Sequence, residues 1–108
     1  MALSNPGGKV VLDLNNPVFQ KNLFGLQKPE RHAALNTLNK LLHLSWDQVY
    51  RDNGLHWEKI VSVQPPQGID ALYSLRITQS RRATATRRGD VMCLLTIAPD
   101  HDSAYGKK

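Results

Sequence analysis

The sequence lacks the residues that build several common kinds of functional site. It contains one cysteine in 108 residues, so no internal disulfide can form, and Cys93 lies in an apolar run where a small core residue is expected. It has no glycine-rich phosphate loop and no Gly-x-Ser-x-Gly motif. Its four histidines lack the spacing of metal ligands. We therefore expect a function that needs neither a metal nor a cofactor.

Long hydrophobic runs are also missing. No apolar run approaches the roughly 20 residues of a membrane span, and Met1–Lys9 lacks the charged start and apolar block of a signal peptide. We therefore expect a cytoplasmic protein with no membrane partner. The length and the 41% hydrophobic content suit a single globular domain, predicted over residues 9–108, after a flexible and breaker-rich N-terminus at residues 1–8.

Acidic residues are scarce near the C-terminus. Residues 1–70 hold seven Lys or Arg and six Asp or Glu, a net charge of +1, whereas residues 71–108 hold seven and three, a net charge of +4. Such asymmetry favours a polyanionic partner. The alternative is a basic surface that is merely solvated.

The chain pattern predicts an α+β fold. Residues 9–14 have strand composition, and Asn16-Pro17 begins a short helix near 17–25. A longer helix is predicted at 29–43, with one apolar stripe formed by Ala34, Leu35, Leu38, Leu41 and Leu42. Ser45 and Gln48 form a capping-box pattern before a third helix at 46–51.

The rest of the chain changes to the period of two that is typical of strands. A short strand is one reading of residues 56–63. Strands are then predicted at 71–78, 82–86 and 91–97, with a turn at 87–90. The predicted sheet is small and antiparallel, a three-stranded meander with the helices on one face.

Side chains alternate between the two faces of a strand. The alternation predicts that Tyr73, Leu75, Ile77, Ala83 and Ala85 meet the helices. The other face would stay open and carry Ser74, Arg76, Thr78, Arg82, Thr84, Thr86 and Arg88. Guanidinium groups grip phosphate through planar bidentate hydrogen bonds. We therefore predict RNA-binding roles for the basic residues Arg76, Arg81, Arg87, Arg88, Lys107 and Lys108.

The C-terminal tail carries two further candidates. His101 titrates near neutrality and can act as a general acid or base, and Tyr105 can stack on a base or donate a proton. Each has a plainer reading, since His101 could be an exposed tail histidine and Tyr105 could pin the tail to the domain. His56, which lies beside Trp57, is predicted to be structural.

Four segments together resemble the RelE/ParE toxin superfamily of bacterial type II toxin–antitoxin modules. They are Leu72-Tyr73-Ser74-Leu75-Arg76-Ile77, Arg81-Arg82-Ala83-Thr84-Ala85, Val91–Ile97 and Asp100-His101-Asp102-Ser103-Ala104-Tyr105. The shared pattern is a strand with a basic residue, a strand that opens with arginine, an apolar strand, and a tail with His or Arg before Tyr. The resemblance spans roughly residues 9–105.

The resemblance implies a mechanism. RelE-like members cut messenger RNA in the ribosomal A site without metal, by attack of the 2′-hydroxyl on the adjacent phosphate, and a cognate antitoxin holds them inactive. Carried over by position, Arg82 would be the phosphate clamp, and Arg76 the basic residue of the preceding strand. His101 would be the acid or base, and Tyr105 the residue that stacks on the message or assists proton transfer. The expected catalytic set is therefore Arg82, His101 and Tyr105.

Two other functions stay open. The ParE branch shares the fold but inhibits DNA gyrase without nuclease chemistry. A non-catalytic RNA-binding module would be expected to place aromatic residues on the sheet for base stacking, and the predicted open face has none.

Overall fold

The computed structural model describes residues 8–98. Within them the chain forms β1 (Val11–Asp13), α1 (Pro17–Phe24), α2 (Lys28–Leu42), α3 (Trp46–Arg51), β2 (Glu58–Lys59), β3 (Tyr73–Arg76), β4 (Arg82–Arg88) and β5 (Val91–Ile97). This is the predicted α+β order. The segment 56–63 contributes only the two residues of β2. Within residues 8–98, no helix is long and apolar enough to cross a membrane.

The predicted starts of α1 and α3 are confirmed by their hydrogen bonds. The Asn16 side chain accepts from the backbone N–H groups of Val18 and Phe19 at 2.8 and 3.3 Å. Ser45 and Gln48 form the predicted capping box: the Ser45 hydroxyl accepts from the Gln48 N–H at 3.2 Å, and the Gln48 side chain accepts from the Ser45 N–H at 2.8 Å. Short polar side chains therefore satisfy N–H groups that a helix cannot pair internally.

The apolar stripe of α2 is narrower than predicted. Ala34, Leu38 and Leu41 are buried, but Leu35 and Leu42 are 46% and 51% exposed. Both exposed leucines lie one residue, or about 100° of rotation, beyond a buried position. Only the narrower row faces the core.

The sheet has five strands in the order β1-β5-β4-β3-β2. The predicted meander is present, since β3–β4 and β4–β5 pair antiparallel. The sheet departs from the predicted antiparallel arrangement at one place, because β1 runs parallel to β5 with Val11 opposite Val91. A tight hairpin forces antiparallel pairing, but no hairpin joins β1 to β5.

Strand β4 is longer than predicted and β3 is shorter. β4 continues to Arg88, and only Gly89 and Asp90 form the turn. Gly89 has a φ of 61°, which suits the first position of a two-residue hairpin loop. Thr78 was expected on the open face, but β3 ends at Arg76 and Thr78 lies beyond the strand. Its hydroxyl donates to Glu30 of α2 at 2.9 Å.

The two faces of the sheet differ as predicted. Leu75, Ala83 and Ala85 are fully buried, and they share one core with helix residues that include Phe19 and Trp46. The opposite face, called the open face below, carries Ser74, Arg76, Arg82, Thr84, Thr86 and Arg88 by strand alternation and register. It is not open along its whole length as predicted, because Ser74 and Thr86 are buried. A register shift between Thr84 and Ala85 leaves Leu95 of β5 as an extra residue, as in a β-bulge.

Candidate nucleic-acid interface

Arg82, the first residue of β4, is held on the open face by groups from two other chain segments. Its Nη2 donates to the Ser74 hydroxyl at 2.9 Å and to the His56 carbonyl at 2.6 Å, and its Nε lies 3.3 Å from the same hydroxyl. These contacts use Nε and Nη2. Among the described residues, Nη1 forms no hydrogen bond, so this end of the fork is available to a ligand.

Arg76 stands directly opposite Arg82 in the register of β3 and β4. Its side chain is exposed, and it forms no ion pair with any residue in the described range. Like charges directly opposite each other destabilise a sheet, and an anion between them removes that repulsion. Two cations in these positions can therefore hold an anion such as a phosphate between them.

Burial and nearby charges together lower the pKa of Arg82. Burial lowers the pKa of Arg82, the Glu58 carboxylate raises it, and Arg76 lowers it again. A guanidinium nevertheless stays protonated at any physiological pH. The site thus keeps a fixed cation in a partly buried position, where its attraction for an anion is screened less than at a free surface.

His56 and Glu58 lie beside this arginine. Glu58 is opposite Ser74 in the register of β2 and β3, and its Oε2 lies 3.8 Å from Arg82 Nη2. Its Oε1 lies 3.3 Å from His56 Nε2. The side chains of His56 and Glu58 are about half exposed, at 56% and 54% respectively. A carboxylate and an imidazole that contact each other next to a cation can accept and donate protons.

The backbone of His56 is unusual. Its φ of 50° lies in the left-handed region, which side-chain-bearing residues seldom adopt. This residue supplies the carbonyl that accepts from Arg82. Strained backbone of this kind often occurs at functional sites, and here it occurs at the residue whose carbonyl holds Arg82.

Arg81 does not lie with Arg82. Its Nε donates to Glu30 Oε1 at 2.7 Å, and its side chain is only 20% exposed. The same carboxylate accepts from the Thr78 and Ser80 hydroxyls at 2.9 and 2.7 Å. The Arg81 guanidinium therefore ties the turn before β4 to helix α2, and its predicted RNA-binding role stays a prediction.

Arg87 and Arg88 also separate. The guanidinium carbon of Arg87 lies 4.0 Å from the ring centroid of Trp46, on the helix side, and its Nε donates to the Gly89 carbonyl at 2.7 Å. Arg88 is exposed and belongs to the open face. Among the arginines at the ends of β4, Arg81 and Arg87 therefore contact helix residues, whereas Arg82 and Arg88 lie on the open face.

The predicted residues of the tail, His101, Tyr105, Lys107 and Lys108, lie outside the described residues. Within residues 8–98, no cluster of three or more His, Cys, Asp or Glu side chains is arranged to hold a metal ion.

The sequence reading missed His56 and Glu58. A signal was available, because His56-Trp57-Glu58 alternates polar, aromatic and polar residues. Such a segment buries its middle residue and turns the other two to the same side. Trp57 is indeed buried and stacks on Tyr73, with ring centroids 4.7 Å apart.

No protein-family model matches the sequence, and comparison with characterised proteins gives no significant sequence match. Solved structures do match. A chain of the archaeal RelE–RelB complex from Pyrococcus horikoshii OT3 superimposes with a TM-score of 0.56 and 19% identity, over 86% of this chain and 94% of that chain. This chain has the RelE-like fold. The YoeB dimer from Staphylococcus aureus is also similar, with a TM-score of 0.51 and 15% identity, over 88% of this chain and 99% of that chain.

The RelE-like fold explains the position of the arginine pair. Both neighbours are covered almost completely, so the match includes the sheet and the helices and not one motif alone. In this fold β3 and β4 are adjacent central strands, and here they place Arg76 and Arg82 side by side on the face that the helices leave open.

Proposed function

We propose that this protein is the toxin of a type II toxin–antitoxin module and cuts messenger RNA on the ribosome without a metal. The observation that carries the proposal is the opposed pair Arg76 and Arg82 on the open face, with the Glu58 carboxylate 3.8 Å from Arg82. It combines a phosphate clamp with a proton acceptor. The RelE-like fold agrees with this function.

The arginine pair would act on the scissile phosphate. The Nη1 end of Arg82 and the guanidinium of Arg76 would donate to its non-bridging oxygens. Attack by the 2′-oxygen adds negative charge to the phosphorane, and cations already in position stabilise that charge more than they stabilise the ground state. Ser74 and the His56 carbonyl would hold Arg82 so that little reorganisation is needed.

Glu58 would be the general base. Its carboxylate would take the proton of the 2′-hydroxyl as the 2′-oxygen bonds to phosphorus. The bond from phosphorus to the 5′-oxygen then breaks, which leaves a 2′,3′-cyclic phosphate on one fragment. The 5′-oxygen must gain a proton, and His101 is the candidate acid, with Tyr105 stacking on the message or assisting the transfer. Both tail roles are predictions from sequence.

The partners follow from the same charges. A basic open face would bind a message within the ribosomal A site, and it would equally attract an acidic segment of a cognate antitoxin. An antitoxin that covers Arg76 and Arg82 would block the message. The charge asymmetry of the chain, +4 in residues 71–108, supports a partner of this kind.

The proposal is tested by brief expression in bacteria, followed by mapping of 5′ ends on translated and untranslated copies of one message. We expect cuts in the translated copy only, and none with Arg82→Ala. Intact messages together with arrested growth would contradict the nuclease. That result would favour a protein target such as gyrase, as for ParE-like toxins.

A further inference from the structure

A cavity of about 400 Å³ opens on the same face of the sheet, away from the arginine pair. It is formed by the end of β1, the C-terminal end of β4, the middle of β5, and the loop at residues 68–70. Its lining includes Asp13, Ile69, Thr86, Arg88, Cys93 and Leu95. The volume falls in the range of small-molecule sites, about 300–1,000 Å³, and the mixture of apolar walls with a few charged groups is typical of them.

The sheet register fixes the relative positions of its charged residues. Asp13 is opposite Cys93, and Cys93 is opposite Thr86, so these three form one row across β1, β5 and β4. Arg88 lies two residues beyond Thr86 on the same face. From strand spacing and rise, the Cα atoms of Asp13 and Arg88 are roughly 12 Å apart. The two side chains therefore project from the same face of the sheet with a gap between them, and within the described residues they form no ion pair.

Asp13 is a fixed and ionised acceptor. Its Oδ1 accepts from the backbone N–H of Asn15 at 3.0 Å, and its Oδ2 lies 3.7 Å from Cys93 Sγ. The Asn15 backbone N–H is the main cause that holds the pKa of this carboxyl below its ordinary value, and Arg88 adds a small effect in the same direction. Each carboxylate oxygen keeps acceptor capacity for a ligand.

We propose that this cavity binds a guanine base of the RNA substrate, with Asp13 accepting from N1–H and N2–H and Arg88 donating to O6 and N7. The inference rests on the proposed function. Guanine alone among the four bases presents two adjacent donors on one edge and two adjacent acceptors on the next. Arginine paired with O6 and N7 is the commonest specific contact to a base. Ile69 and Leu95 supply apolar surface for the ring.

The cavity suits a base and not a phosphate. Asp13 and Asp70 line the cavity together with Arg87 and Arg88, so a phosphate there would meet as many carboxylates as guanidinium groups. The phosphate clamp lies elsewhere on β4, because Arg82 is four residues from Thr86, or roughly 13 Å along the strand. The cavity would therefore read the identity of a base at a distance from the cut and so set sequence preference.

Binding can be measured on the full chain with the four 5′-nucleoside monophosphates, which share a phosphate and differ in the base. Backbone amide shifts in an NMR titration report both affinity and place. We expect 5′-GMP to bind about tenfold tighter than the other three, with shifts at the cavity residues, because a bidentate base contact discriminates on that scale. Equal affinities, or no shifts at the cavity, would overturn the proposal.

Substitutions assign the contact. Asp13→Asn keeps an acceptor for the Asn15 N–H but replaces one acceptor for guanine with a donor. We expect it to abolish the preference for 5′-GMP. The matched control is Asp47→Asn on α3, which is outside the cavity and should keep the preference. A preference unchanged by Asp13→Asn would overturn the proposal, and a melting temperature within a few degrees of wild type shows that the variant is folded.

Nucleotide binding and message cleavage, measured on the same wild-type protein, separate this inference from the proposed nuclease. If 5′-GMP binds selectively while wild-type protein leaves translated messages intact, the cavity assignment stands and the nuclease fails. If messages are cut while no base is preferred in binding, the nuclease stands and the cavity assignment fails. If the expressed protein cuts messages, guanine should be less enriched near the cuts made by the Asp13→Asn protein than near those made by wild type.

Discussion

Two consecutive arginines lie at each end of β4, Arg81-Arg82 and Arg87-Arg88. The two pairs differ in the surroundings of the arginine that lies on the open face. In the first pair, Arg81 binds Glu30 while Arg82 lies on the open face opposite the like-charged Arg76. In the second, Arg87 stacks on Trp46 while Arg88 lies on the open face near a cavity that contains Asp13. Strand alternation therefore gives each pair one arginine on the helix side of the sheet and one on the open face.

The comparison also explains why the two arginines on the open face, Arg82 and Arg88, suit different ligand groups. Two opposed cations favour an anion between them. A cation that faces a carboxylate across a gap favours a ligand with both donors and acceptors. One ribbon can therefore hold a phosphate at one end and a base at the other.

The largest expected effect is that of Arg82→Ala. Removal of one preorganised donor to a developing oxyanion lowers turnover by about 10²–10³-fold, so growth arrest on expression should disappear. Toxicity is measured as colony number after induction. Arg51→Ala, which removes an exposed arginine whose only ion pair within residues 8–98 is with Asp47 on the same helix, is the matched control and should stay toxic. Full toxicity of Arg82→Ala would remove the phosphate clamp from the account.

The next effect is that of Glu58→Gln. The amide keeps the shape of the side chain but cannot take the proton of the 2′-hydroxyl, so cleavage of a ribosome-bound message should fall by about 10²-fold or more. Binding of the message should change little. The two quantities are separated by single-turnover cleavage and by filter binding of the same complex. Cleavage at the wild-type rate would show that another group is the base.

Arg81→Ala should act on stability instead. It leaves the Glu30 carboxylate with only hydroxyl partners, and loss of a charge-assisted hydrogen bond costs about 2 kcal/mol in the free energy of unfolding. Urea unfolding measures this cost. Cleavage per folded molecule should stay close to wild type, and a selective loss of cleavage in fully folded Arg81→Ala would place Arg81 in the site.

The Glu30 contacts also predict an acid dependence. Hydrogen bonds from Ser80 first, and then from Arg81 and Thr78, hold the pKa of Glu30 below its ordinary value of 4.5, against the opposing effect of burial. The stabilisation is therefore complete above that value and is lost as the pH falls through the lowered pKa. We expect Glu30→Gln to be less stable than wild type at pH 7 and the difference to shrink in acid. A constant difference would contradict this linkage.

The smallest effect is expected for Arg87→Ala. A guanidinium over a tryptophan ring contributes about 0.5–2 kcal/mol, so the urea midpoint should fall slightly and the tryptophan fluorescence should change. Cleavage should be retained. An Arg87→Ala protein as stable as wild type but unable to cut would reverse the roles assigned to the second pair.

Local sequence signals predicted most of the elements. Asn16-Pro17 and the Ser45–Gln48 capping box specify helix starts through bonds within three residues, and alternation placed Ala83 and Ala85 in the core. These features depend on near neighbours only, so a single sequence is sufficient to see them.

Features that depend on distant residues were not predicted. The bond of Arg81 to Glu30 joins residues 51 apart, and the parallel pairing of β1 with β5 joins the two ends of the described chain. The candidate site residue Glu58 lies beside Arg82 because β2 pairs with β3. No local pattern contains this information, since it arises when the strands assemble.

The central claim is that alternation makes Arg82, and not Arg81, the phosphate-binding member of its pair. The most direct test is single-turnover cleavage of one ribosome-bound message by Arg82→Lys and Arg81→Lys proteins, normalised to folded protein. Both variants keep a positive charge but lose the planar fork. The account predicts a large loss of rate for Arg82→Lys and a near wild-type rate for Arg81→Lys. Equal losses, or the reverse order, would contradict it.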